Sequence, residues 1–183
     1  MCNGTKQKIA YTMHEMMGRK SFEKITVKNL MDVSNMNRQS FYYHFQDKYE
    51  LLNWIFDTEI ISFMQTLSET DQFGQRIEVV QDVCVYFYEN RNFYRKALKI
   101  EGQNSFSEHF REYIKPILKG RLSVYLIGDQ IDDFTVNFFT DAAVCAVERW
   151  LLDKNCMPPD LFVDKMLYLV QRSTETLYKE LNK

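Results

Sequence analysis

Residues 26–52 read TVKNLMDVSNMNRQSFYYHFQDKYELL, and the order of caps and apolar residues within them decides the fold. Thr26 is an N-cap residue, because its hydroxyl can accept from a backbone N–H two or three positions on. Ile25 before it and Leu30 after it form a hydrophobic staple. Val27, Leu30 and Met31 then recur at spacings of three and four, the period of a helix buried along one face. Ser34-Asn35 breaks that run, and asparagine is one of the few residues besides glycine that tolerates a left-handed backbone. Asn37 is the next cap, and Met36 with Phe41 repeats the staple one helix later. Phe41 and Phe45 are left to hold this second helix on a core. Asp47, with Glu50 three residues on, has the form of a capping box for a third, longer helix.

The polar residues of the second helix carry the functional signal. Arg38, Gln39 and Ser40 fill its first turn, Tyr42, Tyr43 and His44 follow, and Lys48 lies just past its end. A helix-turn-helix places such a first turn in the major groove of DNA. Arginine can pair with guanine edges, glutamine with adenine edges and serine with either. Lys48, Tyr42 and the helix N-terminus can hold phosphates. The candidate DNA-binding set is therefore Thr26, Lys28, Asn37, Arg38, Gln39, Ser40, Tyr42, Tyr43, His44 and Lys48. The competing reading is a helical interaction protein whose hairpin presents a solvated polar surface and no longer binds DNA.

The same residues resemble the DNA-binding helix-turn-helix of the TetR family of transcription regulators. The resemblance lies in the apolar pair Leu30-Met31, the turn Ser34-Asn35-Met36, the run Phe41-Tyr42-Tyr43-His44-Phe45, and Lys48 with Leu51-Leu52 beyond it. It covers roughly residues 5–56. Two positions depart from the pattern: Asn35 and Gln39 stand where glycine is usual or frequent. The resemblance implies an all-α fold of about nine helices, with a three-helix DNA-binding domain at 1–50. A helical regulatory and dimerisation domain would occupy 51–183. It implies a homodimer on a double-stranded operator, answering to a small-molecule effector or a partner protein that acts on the C-terminal domain. The stretch 101–106 resembles a subgroup that includes activators of dihydroxyacetone kinase genes.

Composition agrees with this class. The chain has 183 residues, 45% apolar and 26% charged, with 15% aromatics and only 6 glycines and 3 prolines, a balance that favours helices over strands and loops. The formal charge of −2 hides a split of +3 over residues 1–56 and −5 over 57–183. A basic end suits a polyanionic partner, because neutralising phosphate supplies much of the affinity. Cys2, Cys84, Cys145 and Cys156 are widely spaced and pair with no histidine in a metal-binding pattern, so neither metal nor cofactor is expected. No signal peptide or membrane span is read, which places the protein in the cytoplasm. No catalytic motif is present, and an enzyme is not expected.

Along the chain, helices are expected over about 5–19, 47–67, 77–89, 93–100, 105–126, 134–153 and 160–181, besides the two of the hairpin. Breaks are expected at Gln72-Phe73-Gly74 and over 128–133, with a kink or restart at Pro116. No flexible linker follows the DNA-binding domain, so the two domains should move as coupled rigid parts. Tyr86, Phe87, Phe93, Phe106, Phe110 and Phe138 are candidates for the effector pocket the resemblance implies, though for each taken alone core packing is the first expectation. The 134–153 helix has two apolar stripes, one through Phe134, Phe138, Ala142, Cys145 and Ala146. The other runs through Val136, Phe139, Ala143, Val147 and Trp150. A surface helix needs one such stripe, so the second asks for a second partner. Phe138, Ala142, Ala143, Ala146 and Trp150, with Met166 and Val170 of the last helix, are the candidate dimer interface. Which stripe faces the partner stays open at this point.

Overall fold

In a computed structural model of the chain, residues 2–68, 77–101, 105–125 and 132–181 are described. They form nine α-helices and one 3-10 turn, with no strand among them. The order is α1 (Cys2–Arg19), the 3-10 turn (Phe22–Lys24), α2 (Val27–Val33), α3 (Arg38–Tyr42) and α4 (Lys48–Ser68). Then come α5 (Ile77–Glu89), α6 (Arg91–Ala97), α7 (Phe106–Tyr125), α8 (Asp133–Leu152) and α9 (Pro159–Leu181). The expected break at Gln72-Phe73-Gly74 and most of that at 128–133 lie outside the described residues.

The local signals act where the residue order puts them. Thr26 caps α2 by accepting from the Asn29 N–H at 3.1 Å, and Asn37 caps α3 by accepting from the Ser40 N–H at 2.8 Å. Asn35 takes φ 54°, the left-handed region. Around it, Met36 N–H donates to the Met31 carbonyl at 2.9 Å and Asn35 N–H to that of Asp32 at 3.2 Å. That pair of bonds is the Schellman arrangement, and it satisfies the last carbonyls of α2. The box at the start of α4 is shifted by one residue. Asp47 accepts from the Glu50 N–H at 2.9 Å, whereas the Glu50 carboxylate accepts from Gln46 N–H rather than from Asp47. Pro159 opens α9, where its missing N–H costs nothing. A restart at Pro116 is not seen: α7 is one helix. Pro116 and Glu112, the residue whose carbonyl loses its donor, are both exposed, so water can serve the freed acceptor.

The chain divides into two compact units. The first comprises Met1–Phe63 with Asn90–His109. Ile9, Met13 and Met17 of α1 and Leu30 and Met31 of α2 are buried in it. So are Phe41 of α3 and Leu51, Ile55 and Phe56 of α4. Within this unit α6 contributes buried Phe93, Tyr94 and Ala97. The second unit comprises Met64–Glu89 with Phe110–Lys183. There α5 packs along α9, and Cys84, Phe87, Phe110, Val136, Val144, Leu151 and Phe162 are buried. Trp150 is held from both sides in that core: its ring stacks on Phe162 at 4.3 Å and lies nearly parallel to Tyr88 at 6.2 Å. Its indole N–H donates to the Met157 carbonyl at 2.8 Å, so the one polar atom of the side chain is satisfied.

Candidate nucleic-acid interface

Two buried rings fix the recognition segment. Phe41 and Phe45 stand 5.6 Å apart and leave the opposite side of α3 to solvent. That side presents Arg38, Gln39, Tyr42 and Tyr43, all exposed, with His44 and Ser40 half-buried beside them. No carboxylate lies between residues 33 and 46, so nothing in the segment opposes an anionic partner. The Asn37 side-chain oxygen accepts from both the backbone and the hydroxyl of Ser40, the second at 2.9 Å. The Ser40 hydroxyl proton is therefore in use, which leaves its oxygen as an acceptor toward a base. His44 sets its ring edge-on to Tyr43 at 4.9 Å, which restrains both. Thr26 donates to the Asn29 side chain at 2.8 Å, and Lys28 is exposed.

Lys48 is placed otherwise than the sequence suggests. Its ammonium donates to the carbonyls of Phe22 at 2.8 Å, Ile25 at 3.0 Å and Glu23 at 3.4 Å. It also sits 4.3 Å from the centre of the Phe22 ring. All three of its protons are thus directed into the protein, and a phosphate would have to compete with three carbonyls. Burial pushes this ammonium below the usual lysine value, and the Glu23 charge opposes that. Glu23 is itself held below the usual carboxylate range, chiefly by its own backbone N–H, then by the Ser21 hydroxyl, with Lys48 adding to it.

Residues 13–55 match the family described as bacterial regulatory proteins, tetR family, and residues 76–172 match a transcriptional regulator C-terminal region. The chain belongs to the TetR family. It is a transcription regulator of that family, and its all-α fold recurs in solved relatives. One relative, the HTH-type dhaKLM operon transcriptional activator DhaS of Lactococcus lactis, is 26% identical over 149 residues, covering 79% of this chain and 78% of DhaS. A solved dihydroxyacetone kinase operon activator DhaS superposes with a TM-score of 0.67 at 19% identity, over 94% of this chain and 97% of that one. A TetR transcriptional regulator from Streptococcus agalactiae superposes at 0.72 with 20% identity, over 92% and 94%.

In this TetR-family chain the aromatic set named for an effector pocket draws residues from both units. Phe93 and Phe106 belong to the first unit, and Tyr86, Phe87, Phe110 and Phe138 to the second. Phe106 packs edge-on against Phe56 at 5.3 Å and Phe87 edge-on against Phe110 at 5.5 Å, so these rings fill the two cores. Phe138 is exposed.

The expected dimer set is also sorted. Phe138 and Ala142 lie exposed on one stripe of α8 with Phe134 and Cys145, while Ala143, Ala146, Met166 and Val170 are half-buried. Trp150 leaves the set, because its own unit already buries it. Among the described residues there is no group of three or more His, Cys, Asp or Glu able to hold a metal, and no helix long and apolar enough to cross a membrane.

Sequence reasoning missed the polar ties that hold the first unit together. His14 Nε2 lies 2.8 Å from Glu59 Oε1, and the Tyr94 hydroxyl donates to Glu59 Oε2 at 3.0 Å. His109 Nε2 lies 2.6 Å from Asp57 Oδ1. The Lys96 ammonium donates to the carbonyls of Met17, Gly18 and Lys20. Each tie spans 35 residues or more, up to 79 for Lys96 and Met17, so no local pattern announces it.

Proposed function

We propose that this regulator binds a double-stranded operator as a homodimer, with one α3 from each chain in successive major grooves. The observation that carries this is the exposed face of α3: Arg38, Gln39, Tyr42 and Tyr43 side by side, held by buried Phe41 and Phe45 and free of carboxylates. Arg38 and Gln39 read base edges, with Ser40 and Asn37 beside them. Tyr42, Tyr43, His44, Thr26 and Lys28 hold the backbone. Lys48 we assign to the protein's own carbonyls and not to phosphate. Self-association uses the exposed stripe of α8, Phe134, Phe138, Ala142 and Cys145, together with Leu161, Tyr168 and Leu169, which α9 also leaves exposed. A small molecule or partner protein acting on the C-terminal domain shifts the pair of α3 helices into or out of the spacing of about 34–36 Å that one turn of DNA requires. The domains we take as 1–50 and 51–183, and the protein as a cytoplasmic binder with no catalysis of its own. Its likeness to DhaS supports control of a dihydroxyacetone kinase operon.

Footprinting on the DNA flanking the protein's own gene, at two salt concentrations, is the test. Protection of two half-sites one helical turn apart, weakening steeply with salt, is the expected result. A chain that protects nothing, while remaining folded and dimeric, would instead be an interaction protein.

A further inference from the structure

The link between α1 and α2 looks in sequence like an ordinary loop, and in the structure it is gripped from two sides. An α-helix ends with carbonyls that have no N–H to meet, and a cation there is favoured by the helix dipole. At the end of α1 that cation comes from α6. Lys96 directs its three protons to Met17, Gly18 and Lys20. Immediately beyond, Lys48 at the start of α4 directs its three protons to Phe22, Glu23 and Ile25. Six of the nine carbonyls from residue 17 to residue 25 are thus held by two ammonium groups. A segment so held does not act as a free hinge.

The same α6 touches α1 a second time, one turn higher. The Phe93 ring stacks on His14 at 3.8 Å and 11°, and His14 and Tyr94 share the two oxygens of Glu59 on α4. Two contacts at different heights on α1 define its direction relative to α6, where one would leave it free to pivot. The recognition segment follows α1 through the gripped link and α2.

We propose that Lys96 is a positioning residue for DNA recognition: its ammonium, as the C-cap of α1, sets the angle at which α2 and α3 are presented. A displacement of α6 is thereby passed to α1 directly. This rests on the DNA-binding reading above, and its test separates the two. Lys96 lies on no DNA-facing surface proposed here, so it should affect specific binding without affecting charge neutralisation.

The experiment uses the full chain, Lys96→Met and Lys96→Arg, with the footprinted duplex and a random duplex across a salt series. Amide hydrogen exchange over residues 20–25 is measured on the same samples. Lys96→Met should lose about tenfold in affinity for the specific duplex. Its non-specific affinity and salt slope should stay at the unmutated values, and exchange at Lys20, Lys24 and Ile25 should quicken. Lys96→Arg, which keeps the charge and donors, should restore most of both. Unchanged specific affinity in Lys96→Met overturns the proposal, whatever the exchange shows. So does a salt slope smaller by about one, which would make Lys96 a phosphate contact. If Lys96→Met melts below the assay temperature, Lys96→Gln is judged by the same two readouts at a lower one. An unmutated chain with no salt-dependent DNA binding would remove the DNA-binding reading. Exchange over 20–25 would still decide whether Lys96 holds the link.

Discussion

Two faces of this molecule expose large aromatic side chains to nearly the same degree, and their chemistry sends them to different partners. On the recognition segment Tyr42 is 59% and Tyr43 77% exposed; on α8 Phe138 is 59% and Phe134 76% exposed. A tyrosine left in water keeps its hydroxyl hydrated and can later give that bond to a phosphate. A phenylalanine in the same position has nothing to offer water, and a stripe of them is stable only when another apolar surface covers it. Neighbouring residues reinforce the contrast. Arg38 and Gln39 flank the tyrosines, whereas Ala142 and Cys145 are the exposed residues that share the α8 stripe with the phenylalanines. The first face suits a wet, charged partner, and the second is the one proposed above to meet another copy of the chain.

The largest effects should come from α8, where burial separates fold from association. Trp150→Ala should lower stability in urea unfolding by about 3–5 kcal/mol, the usual cost of emptying a buried aromatic site. Phe138→Asp should leave the far-ultraviolet circular dichroism helical. It should reduce the mass by light scattering from two chains to one, because a charge would sit where the two copies meet. Phe138→Asp that remains a dimer, or that unfolds as Trp150→Ala does, breaks the assignment of this stripe to the interface.

Next in size are the changes on α3. Arg38→Ala should cost about 1–3 kcal/mol on the true site and relax the preference for one base pair there. Tyr42→Phe turns the recognition face one step toward the chemistry of α8. It should cost about 1.5–3 kcal/mol if the hydroxyl bonds a charged phosphate oxygen, and should leave base preference alone. Anisotropy titrations against a panel of single-base variants measure both. Base preference altered by Tyr42→Phe and untouched by Arg38→Ala would reverse the division of labour.

Lys48→Met sharpens the same boundary from the other side. With its protons on Phe22, Glu23 and Ile25, its loss should lower thermal stability and leave the salt slope of DNA binding unchanged. A slope reduced by about one would return Lys48 to the phosphate-binding set.

The smallest and quickest test reads the α8 face through its thiol, with a buried thiol as the internal control. Burial pushes the Cys84 thiol up to about 12, so at pH 8 it stays in the unreactive protonated form. Cys145 is exposed on the α8 stripe. Peptide mapping after alkylation at pH 8 should find Cys145 modified quickly in the Phe138→Asp monomer, slowly in the dimer, and Cys84 modified in neither until the chain unfolds. Equal labelling of Cys145 in both forms would move the interface elsewhere.

The hairpin was legible in the residue order because everything that shapes it acts over a few positions. The Thr26 and Asn37 caps, the left-handed Asn35 and the Phe41/Phe45 pair each involve partners within four or five residues. The all-α class followed from the same kind of signal repeated along the chain, and the helix bounds shifted by no more than a few residues. Other assignments were beyond it. Two apolar stripes on α8 are equivalent in sequence, and only packing in the second unit shows that Val136, Thr140, Val144 and Leu151 face the core. Trp150 reads as interface or core with equal ease until Tyr88 and Phe162 close on it. An exposed-looking lysine after a helix cap reads as a phosphate ligand until three carbonyls from 23 to 26 residues earlier are found around it. Order along the chain determined the elements and the chemistry each can present. Tertiary contact decided which of that chemistry is spent inside the protein and which is left for a partner, because burial and long-range hydrogen bonds depend on residues that the local pattern does not contain.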